Sequence, residues 1–365
     1  MTTAPRAERL NICFIGRTNV GKSTIVNKLV DQDVSIISEH AGTTTDPVLK
    51  RFELHPLGAV TFFDTAGYDD RTLLGEKRFN ATMKVIYKSD LAIIIIDKNG
   101  LIDSDLQMID KLIELKVPYF VAENSIEITD IKKKIIEVLS PIIENKSTLL
   151  ENLVKPGDKV VLVMPIDSAA PKGRIILPQL QVLREILDIR AIAMCCQETE
   201  LAKALASLAE PPDYVITDSQ VVDYVNKIVP ENVPLTTFSI LFARYRGELE
   251  AFLDGLKVLK TLNENDLILI AEACSHHSTD EDIGTVKIPK WLSDYLGFSP
   301  VIHKISGSDF PDDLEKYKLV IHCGGCMLTK TEMMRRVNEC RRQGVAITNY
   351  GMIISKMKKI RGFDD

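Results

Sequence analysis

The chain has 365 residues, of which 45% are hydrophobic and 26% are charged, and its formal net charge at pH 7 is -6. This length exceeds what one hydrophobic core normally organises, so we expect two or three soluble globular domains and exclude a disordered chain. The acidic balance argues against a nucleic-acid partner, because binding through a broadly basic face depends on displacing counterions from phosphates.

The sequence also argues against a membrane protein or a secreted protein. Its longest aliphatic run, LAIIII before Asp97, is far shorter than the roughly 20 residues that span a bilayer. The N-terminus passes directly into a strand-like run without the layout of a signal peptide. The seven cysteines are odd in number and two are adjacent, Cys195 and Cys196, which disfavours a disulfide framework. We therefore expect a cytoplasmic protein with no membrane partner.

Short apolar runs alternate with amphipathic segments along the whole chain, which is typical of parallel sheets covered by helices. The runs fall into three blocks, with Pro156-Gly157 near the first division. We therefore predict an α/β fold with three α/β domains: an N-terminal phosphate-loop domain at 1–146, a small α/β domain at 147–234 and a C-terminal doubly wound domain at 235–365.

The segment GRTNVGKST matches the phosphate-loop pattern and stands between a predicted strand and a predicted helix, as that pattern requires. Its glycines allow backbone N–H groups to face phosphate oxygens, Lys22 reaches the outer phosphates, and Ser23 is placed to bind Mg²⁺. The predicted nucleotide-binding residues of this loop are Gly16, Asn19, Val20, Gly21, Lys22, Ser23 and Thr24.

Two further segments follow in the order found in phosphate-loop GTPases. FFDTAG ends a strand with Asp64, placed to hold Mg²⁺ through water, and with Gly67, whose N–H can bind the γ-phosphate of GTP. AGTTTD supplies a switch-loop threonine, for which we select Thr44 as a further Mg²⁺ ligand. We predict that Lys22, Ser23, Thr44, Asp64 and Gly67 form the catalytic set.

These loops resemble those of translation-factor-like GTPases, in the branch that contains tRNA-modification and ribosome-assembly GTPases. By that resemblance, Asn19 would help to bind K⁺, and K⁺ would stimulate GTP hydrolysis. Signalling GTPases carry a water-orienting glutamine directly after the DTAG segment, whereas this chain has Tyr68. Tyrosine cannot orient water in the same way, so we expect slow intrinsic turnover.

The segment that would read guanine departs from the family pattern. The motif Asn-Lys-x-Asp falls on NSIE, which keeps Asn124 but replaces the lysine with Ser125 and the aspartate with Glu127. A helix-like segment follows at once, so we expect the last strand and loop of the domain to be deleted. Guanine specificity is therefore an open question, although nothing indicates adenine.

Cysteines and histidines follow two strand-like runs in the last third of the chain. EACSHHS contains Cys274 and His276, and VIHCGGC contains His322, Cys323 and Cys326, with 45 residues between the two histidines. Loops at the carboxyl ends of parallel strands meet at one edge of a sheet, so both half-sites can converge if the strands are neighbours. From spacing alone, a [4Fe-4S] cluster and a Cys3His zinc site are about equally favoured, and a third interpretation is that the cysteines only fill apolar space.

The C-x-H and H-C-x-x-C pair downstream of a GTPase domain resembles the HydF family, the GTPases that mature [FeFe]-hydrogenase. The segments PLTTFSILFARYRGELE and DLILIAEACSHH extend that resemblance over essentially the whole chain. It implies a [4Fe-4S] cluster held by Cys274, Cys323 and Cys326, with either His276 or His322 as a possible fourth ligand. It also implies a GTP/GDP-binding scaffold that carries a diiron precursor to apo-[FeFe]-hydrogenase, works with the other hydrogenase maturation enzymes, and forms a homodimer through its middle domain.

A second hypothesis is a regulatory or RNA-linked GTPase with a structural zinc site in its C-terminal domain. The other cysteines offer no alternative metal site: Cys13 is predicted to lie in the core, Cys340 to be structural in a helix, and Cys195 and Cys196 to point to opposite faces of a strand. Metal content separates the two hypotheses.

Overall fold

The computed structural model describes residues 9–31, 38–40, 47–69, 73–144, 148–166, 175–246, 248–273, 283–307, 310–361 and 363. The chain divides into two compact units. One comprises Met1–Lys146 and Leu328–Glu332, and the other comprises Ser147–Met327 and Met333–Asp365. In the described residues no helix is long and apolar enough to cross a membrane.

The first unit contains a six-stranded sheet of order β2-β3-β4-β1-β5-β6. Its strands are β1 (Leu10–Gly16), β2 (Ser38–His40), β3 (Val48–Leu54), β4 (Gly58–Asp64), β5 (Leu91–Ile96) and β6 (Tyr119–Glu123). Its helices are α1 (Lys22–Asp31), α2 (Leu73–Ile86), α3 (Asp103–Glu114) and α4 (Ile128–Glu144). β1 pairs in parallel with β4 and β5, and every residue of β1 is buried. A continuous apolar run is what a central parallel strand needs, because helices cover both of its faces.

This sheet ends at β6. α4 follows directly, and the described part of the unit contains no further strand of this sheet. The expected deletion of the last strand and loop is therefore found.

The second unit contains two four-stranded sheets whose strands are all parallel. The middle sheet has the order β10-β9-β7-β8, with β7 (Lys159–Val163), β8 (Ile192–Cys196), β9 (Tyr214–Thr217) and β10 (Leu235–Thr237). The C-terminal sheet has the order β12-β11-β13-β14, with β11 (Leu267–Glu272), β12 (Val301–Ser306), β13 (Leu319–His322) and β14 (Ala346–Asn349). The order reverses between β11 and β13, so a crevice is expected at the carboxyl ends of these two strands.

Eight helices connect and cover these sheets in the described residues. They are α5 (Leu177–Asp188), α6 (Leu201–Ala206), α7 (Val222–Ile228), α8 (Phe238–Arg246), α9 (Leu249–Lys257), α10 (Ile288–Leu296), α11 (Lys330–Arg342) and α12 (Tyr350–Met357). The fold class is therefore α/β throughout, with one sheet in the first unit and two in the second.

The division between the second and third domains differs from the expected one. Residues 235–246 were assigned to the third domain, but β10 pairs with β9 and α8 packs against the core of the middle sheet. Residues 235–246 therefore belong with the middle sheet. A strand of three residues has no readable periodicity, so only its pairing partner reveals where it belongs.

A tight contact between α9 and β14 gives a stability prediction. A Cβ atom at Gly255 would lie 2.0 Å from the carbonyl oxygen of Ile347. That oxygen belongs to the backbone of a buried strand and cannot move aside, so we expect Gly255→Ala to lower the free energy of unfolding by about 1–3 kcal/mol. Urea denaturation followed through Trp291, the single tryptophan, measures the change. Asp254→Ala, at an exposed position beside it, is the control, and equal stability of the two variants would contradict the prediction.

Candidate functional site

The phosphate loop connects β1 to α1 through backbone conformations that favour glycine. Gly16, Asn19 and Gly21 have φ angles of 155°, 58° and 100°. A Cβ atom at Gly16 would lie 2.5 Å from the carbonyl oxygen of Ile95, so no other residue fits at the end of β1. The loop ends at the N-terminus of α1, an arrangement that binds anions through N–H groups and the helix dipole.

Lys22 is held against this loop. Its side chain is 7% exposed, and its Nζ donates to the carbonyl oxygens of Gly16 and Arg17 at 3.0 and 2.7 Å. Burial lowers the pKa of Lys22, while the carboxylates of Asp64 and Asp69 oppose that change. The ammonium group therefore lies among the groups expected to meet the outer phosphates of a nucleotide.

Asp64 and Ser23 provide the oxygen atoms that a Mg²⁺ site requires. Burial raises the pKa of Asp64, and a hydrogen bond with the Ser23 side chain and the charge of Lys22 oppose the rise. The Oδ1 atom of Asp64 is buried without a hydrogen-bond partner among the described residues. A cation or its bound water would satisfy this oxygen, so the residues fit Mg²⁺. Thr44 lies outside the described residues.

The backbone after the DTAG segment lies directly on the phosphate loop. A Cβ atom at Gly67 would lie 2.3 Å from Oγ1 and 2.5 Å from the backbone N of Thr18. The Oδ1 atom of Asp69 accepts hydrogen bonds from both of these Thr18 atoms at 2.7 Å. The sequence analysis did not select Asp69 or Thr18, although a carboxylate directly after Tyr68 was the available signal.

Tyr68 points into the core instead of toward the nucleotide site. Its hydroxyl donates to Oδ1 of Asp105 at 2.6 Å, and the Nε atom of Arg17 lies 3.5 Å from the same oxygen. Burial raises the pKa of Tyr68, and the carboxylate of Asp105 adds to the rise. The phenol is therefore occupied by a buried network that joins the phosphate loop to α3.

Asn124 links the base-reading segment to the phosphate loop. Its Nδ2 donates to the carbonyl oxygen of Val20 at 3.2 Å, and its backbone N–H donates to that of Ile96 at 2.8 Å. Ser125 and Glu127 are exposed beside it. The link between the two loops is thus kept, although two of the three base-reading positions differ from the family pattern.

The two cysteine segments follow neighbouring strands. β11 and β13 pair in parallel with Ala271 opposite His322, and the backbone N–H of Cys323 donates to the carbonyl oxygen of Ala271 at 2.9 Å. Cys274 and His276 lie outside the described residues. The convergence expected of the strand ends is present up to Ala273, the residue directly before Cys274.

Backbone N–H groups surround the Cys323 sulfur. Its Sγ accepts from the N–H of Ala273 at 3.2 Å and from that of Gly325 at 3.4 Å. Burial raises the pKa of Cys323 to about 11, and these two hydrogen bonds oppose the rise. N–H groups directed at a cysteine sulfur also tune the sulfurs of iron–sulfur sites, so the donor set fits a thiolate-bound cluster.

A buried arginine holds the turn between Cys323 and Cys326. The guanidinium group of Arg246 donates to the carbonyl oxygens of Gly324 and Gly325 at 2.8 and 2.9 Å, and its residue is 4% exposed. Burial lowers the pKa of Arg246, and the charges of Glu248 and of both cysteines oppose this change. Arg246 is 77 positions from Cys323 in the chain, so sequence spacing gave no signal for it.

Both ring nitrogens of His322 have partners. Arg336 Nη1 lies 2.9 Å from Nε2, and Nδ1 lies 2.7 Å from the carbonyl oxygen of Cys323. A guanidinium can only donate, so Nε2 accepts and the proton on Nδ1 is donated to the carbonyl. His322 therefore positions the backbone of Cys323, and both of its nitrogens are engaged.

Burial lowers the pKa of His322 to about 3, and the charge of Arg336 adds to this change. The unfolded chain takes up a proton near the ordinary pKa of 6.5, whereas the folded chain does not, so folding is favoured above pH 6.5 and disfavoured as the pH falls below it. We expect the free energy of unfolding of the metal-free protein to fall by about 1.4 kcal/mol between pH 7.5 and 5.5 from this group.

Urea denaturation across that pH range measures the effect, with the exposed His303 changed to glutamine as the control. His303→Gln should leave the fall intact and His322→Gln should remove it. A free energy of unfolding of the wild-type protein that does not change over this pH range would contradict the prediction.

The four other described cysteines lie on β1, β8 and α11. Cys13 and Cys340 are buried in β1 and α11, as predicted. Cys195 is exposed and Cys196 is partly buried on β8, an edge strand. Among the described residues no three cysteine, histidine or acidic side chains are grouped closely enough to hold a metal ion.

The sheet order, the phosphate loop, the DTAG segment and the partly buried Asp64 together define a phosphate-loop GTPase domain. A family model for 50S ribosome-binding GTPases matches residues 11–125. Models for the hydrogen maturase F dimerization domain and tetramerization domain match residues 149–247 and 250–362. The last two models together cover more than half of the chain. The chain belongs to the hydrogen maturase F family.

Individual relatives match mainly the first domain. GTPase Der of Nitratidesulfovibrio vulgaris is 34% identical over 130 residues, which are 34% of this chain and 26% of that protein. GTPase Era of Fusobacterium nucleatum is 31% identical over 153 residues, 41% of this chain and 48% of that protein. The chain thus spans a quarter to a half of the length of these relatives. The solved structure of Era from Aquifex aeolicus is 17% identical, with 92% of this chain and 98% of that chain covered, but its TM-score of 0.26 carries no argument.

Proposed function

We propose that this protein is an [FeFe]-hydrogenase maturation factor that binds and hydrolyses GTP and carries a [4Fe-4S] cluster. In this proposal the cluster is the docking point of a diiron precursor, which the protein completes and delivers to apo-hydrogenase with the help of the other maturation enzymes. Membership of the hydrogen maturase F family supports the maturation role.

The cluster proposal is supported by one observation above the others. The N–H of Ala273 donates to the Sγ of Cys323, so the residue before Cys274 already touches the sulfur of the second half-site. Because consecutive Cα atoms are about 3.8 Å apart, Cys274, the next residue in the sequence, is our candidate for the first ligand. We propose Cys274, Cys323 and Cys326 as the three ligands, with His276 or an external group at the fourth iron, because both nitrogens of His322 are engaged.

When bound, the cluster would supply an iron with an exchangeable position for the diiron precursor. The chain's own residues prepare its site. Arg246 fixes the turn carbonyls, His322 fixes the carbonyl of Cys323, and the N–H groups of Ala273 and Gly325 face a sulfur. The thiols of Cys323 and Cys326 have raised pKa values because they are buried, so metal binding should release protons.

The metal content of the anaerobically purified full-length protein tests this proposal. We expect iron and acid-labile sulfide in equal amounts, a brown colour, and an EPR signal on reduction. A colourless protein with one zinc per chain would reject it and favour the regulatory or RNA-linked GTPase with a structural zinc site, because thiolates also bind Zn²⁺.

The GTPase part of the proposal has its own test. We propose slow hydrolysis that K⁺ stimulates through Asn19, which has the left-handed backbone at φ 58°. Single-turnover GTP hydrolysis in KCl and in NaCl should differ, and the Asn19→Ala variant should lose the difference. Equal rates in the two salts would reject the role of K⁺ while leaving the cluster proposal untouched.

We further propose a cytoplasmic homodimer of three-domain chains, with a GTPase domain, a dimerisation domain and an iron–sulfur domain. The dimerization and tetramerization domain models support self-association. Light scattering of the full-length protein measures the assembly, and a monomer at micromolar concentration would contradict it.

A further inference from the structure

The carboxylate of Asp69 is fixed on the phosphate loop. Its Oδ1 accepts two hydrogen bonds of 2.7 Å, one from the backbone N and one from Oγ1 of Thr18. The backbone at Gly67 cannot move closer or carry a side chain, because a Cβ atom there would lie 2.3 Å from Thr18 Oγ1. Asp69 is nevertheless exposed, so water can reach its carboxylate.

The hydrogen bonds to Thr18 hold this carboxylate on the phosphate loop, and its charge interacts with that of Lys22. Asp69 raises the pKa of Lys22, and Lys22 is one of the groups that hold the pKa of Asp69 down. Lys22 is the residue that meets the outer phosphates in a phosphate loop. Asp69 therefore lies near the position of the γ-phosphate, on the side of the DTAG segment.

Tyr68 does not compete for this position. Its hydroxyl is bonded to Asp105, which is fully buried, so the side chain that replaces the usual glutamine faces away from the phosphates. Asp69 is the next residue in the chain and faces the phosphate loop. The face of the DTAG segment that lies on the phosphate loop thus presents a solvent-exposed hydrogen-bond acceptor.

We propose that Asp69 orients the attacking water in GTP hydrolysis, with Thr18 positioning its carboxylate. The water oxygen forms a bond to the γ-phosphorus, and the bond from that phosphorus to the β–γ bridging oxygen breaks with its electron pair remaining on GDP. The proton of the water passes to an oxygen of the released phosphate. Asp69 accepts a hydrogen bond and stays ionised. Burial raises its pKa, but the hydrogen bonds from Thr18, a hydrogen bond from its own backbone and the charge of Lys22 together keep the pKa below its ordinary value.

This inference rests on the proposed GTP hydrolysis and is independent of the cluster. The test uses the full-length protein and measures single-turnover hydrolysis of GTP, with affinities for GDP and for a non-hydrolysable GTP analogue determined in parallel. The variants are Asp69→Ala, Asp69→Asn and Thr18→Ala. Asp110→Asn, the same chemical change at an exposed position of α3, is the matched control.

We expect Asp69→Ala to slow hydrolysis by roughly 100-fold, the loss that follows when a reacting group is no longer held in position, with GDP affinity unchanged. Asp69→Asn keeps an acceptor oxygen, and Thr18→Ala keeps the hydrogen bond from the backbone N–H of residue 18. Both variants should therefore lose less hydrolysis activity than Asp69→Ala. The wild-type rate should be level from pH 6 to 8, because the carboxylate is already ionised.

The remaining outcomes distinguish failure of this inference from failure of the proposed GTPase function. A variant that hydrolyses GTP at the wild-type rate, or binds the GTP analogue more tightly and hydrolyses faster, would overturn the inference and make Asp69 an obstructing anion instead. Loss of GDP affinity in Asp69→Ala would assign it a structural role and also overturn the inference. A wild-type protein that binds GTP without hydrolysing it would reject the proposed GTPase function itself.

Discussion

Replacing Cys323 with serine should leave the reconstituted protein without the proposed iron–sulfur cluster. The Sγ of Cys323 is the sulfur on which Ala273, Gly325 and the cysteine turn converge, and a hydroxyl is a far poorer ligand for iron than a thiolate. Anaerobic reconstitution with iron and sulfide, followed by iron analysis and EPR of the reduced protein, measures the loss. We expect iron near the background level and no cluster signal.

The control is Cys195→Ser, which makes the same change at an exposed position of β8. It should keep the iron content and the signal of the wild type. A brown Cys323→Ser protein with an unchanged EPR signal would remove Cys323 from the ligand set.

Replacing Arg246 with methionine should destabilise the cysteine turn and the protein. Methionine fills a similar apolar volume but cannot donate to the carbonyl oxygens of Gly324 and Gly325, and each buried acceptor left unpaired costs about 1–3 kcal/mol. We expect the free energy of unfolding of the metal-free protein to fall by about 3 kcal/mol. The cluster-loaded variant should also have a more negative midpoint potential, because a buried positive charge favours the reduced, more negative cluster.

Two further variants make this prediction specific. Arg246→Lys keeps the positive charge but cannot bond both carbonyl oxygens with the geometry of a guanidinium. Its midpoint potential should therefore stay near the wild-type value, while its free energy of unfolding falls. Arg184→Met removes an exposed arginine paired with Asp188, and it should change stability by less than about 1 kcal/mol. An Arg246→Met protein with wild-type stability and potential would show that the guanidinium has no role at this turn.

The nucleotide site could be predicted from the sequence because its parts are local. The phosphate loop needs a glycine at the end of a strand and a helix directly after it, and residues 10–31 contain that whole unit. The deletion after β6 was also readable, because a helical pattern replaces the loop. Tyr68 was noticed as unusual, but its burial against Asp105, 37 positions away, could not be seen in the pattern.

The two cysteine segments were predicted to follow two strands, and the sheet order decided that these strands are neighbours. Strands β11 and β13 pair directly, although β12 comes between them in the sequence. Arg246 was missed because it lies 78 positions before Gly324 in the chain. Arg336 is only 14 positions from His322, but the pattern of its helix does not show which side chain reaches the imidazole ring. The same reason explains the shifted boundary at residue 235, since the three residues of β10 are assigned only by their pairing with β9.

The sequence by itself determined the α/β class, the phosphate loop and the residues able to bind metal, because these depend on residue type, periodicity and short spacing. The tertiary structure alone decided which carboxylate contacts the phosphate loop, which arginine supports the cysteine turn, and which tautomer His322 adopts. Those choices depend on contacts between different segments of the chain. A buried polar group must form a hydrogen bond, and the fold decides which partner is beside it.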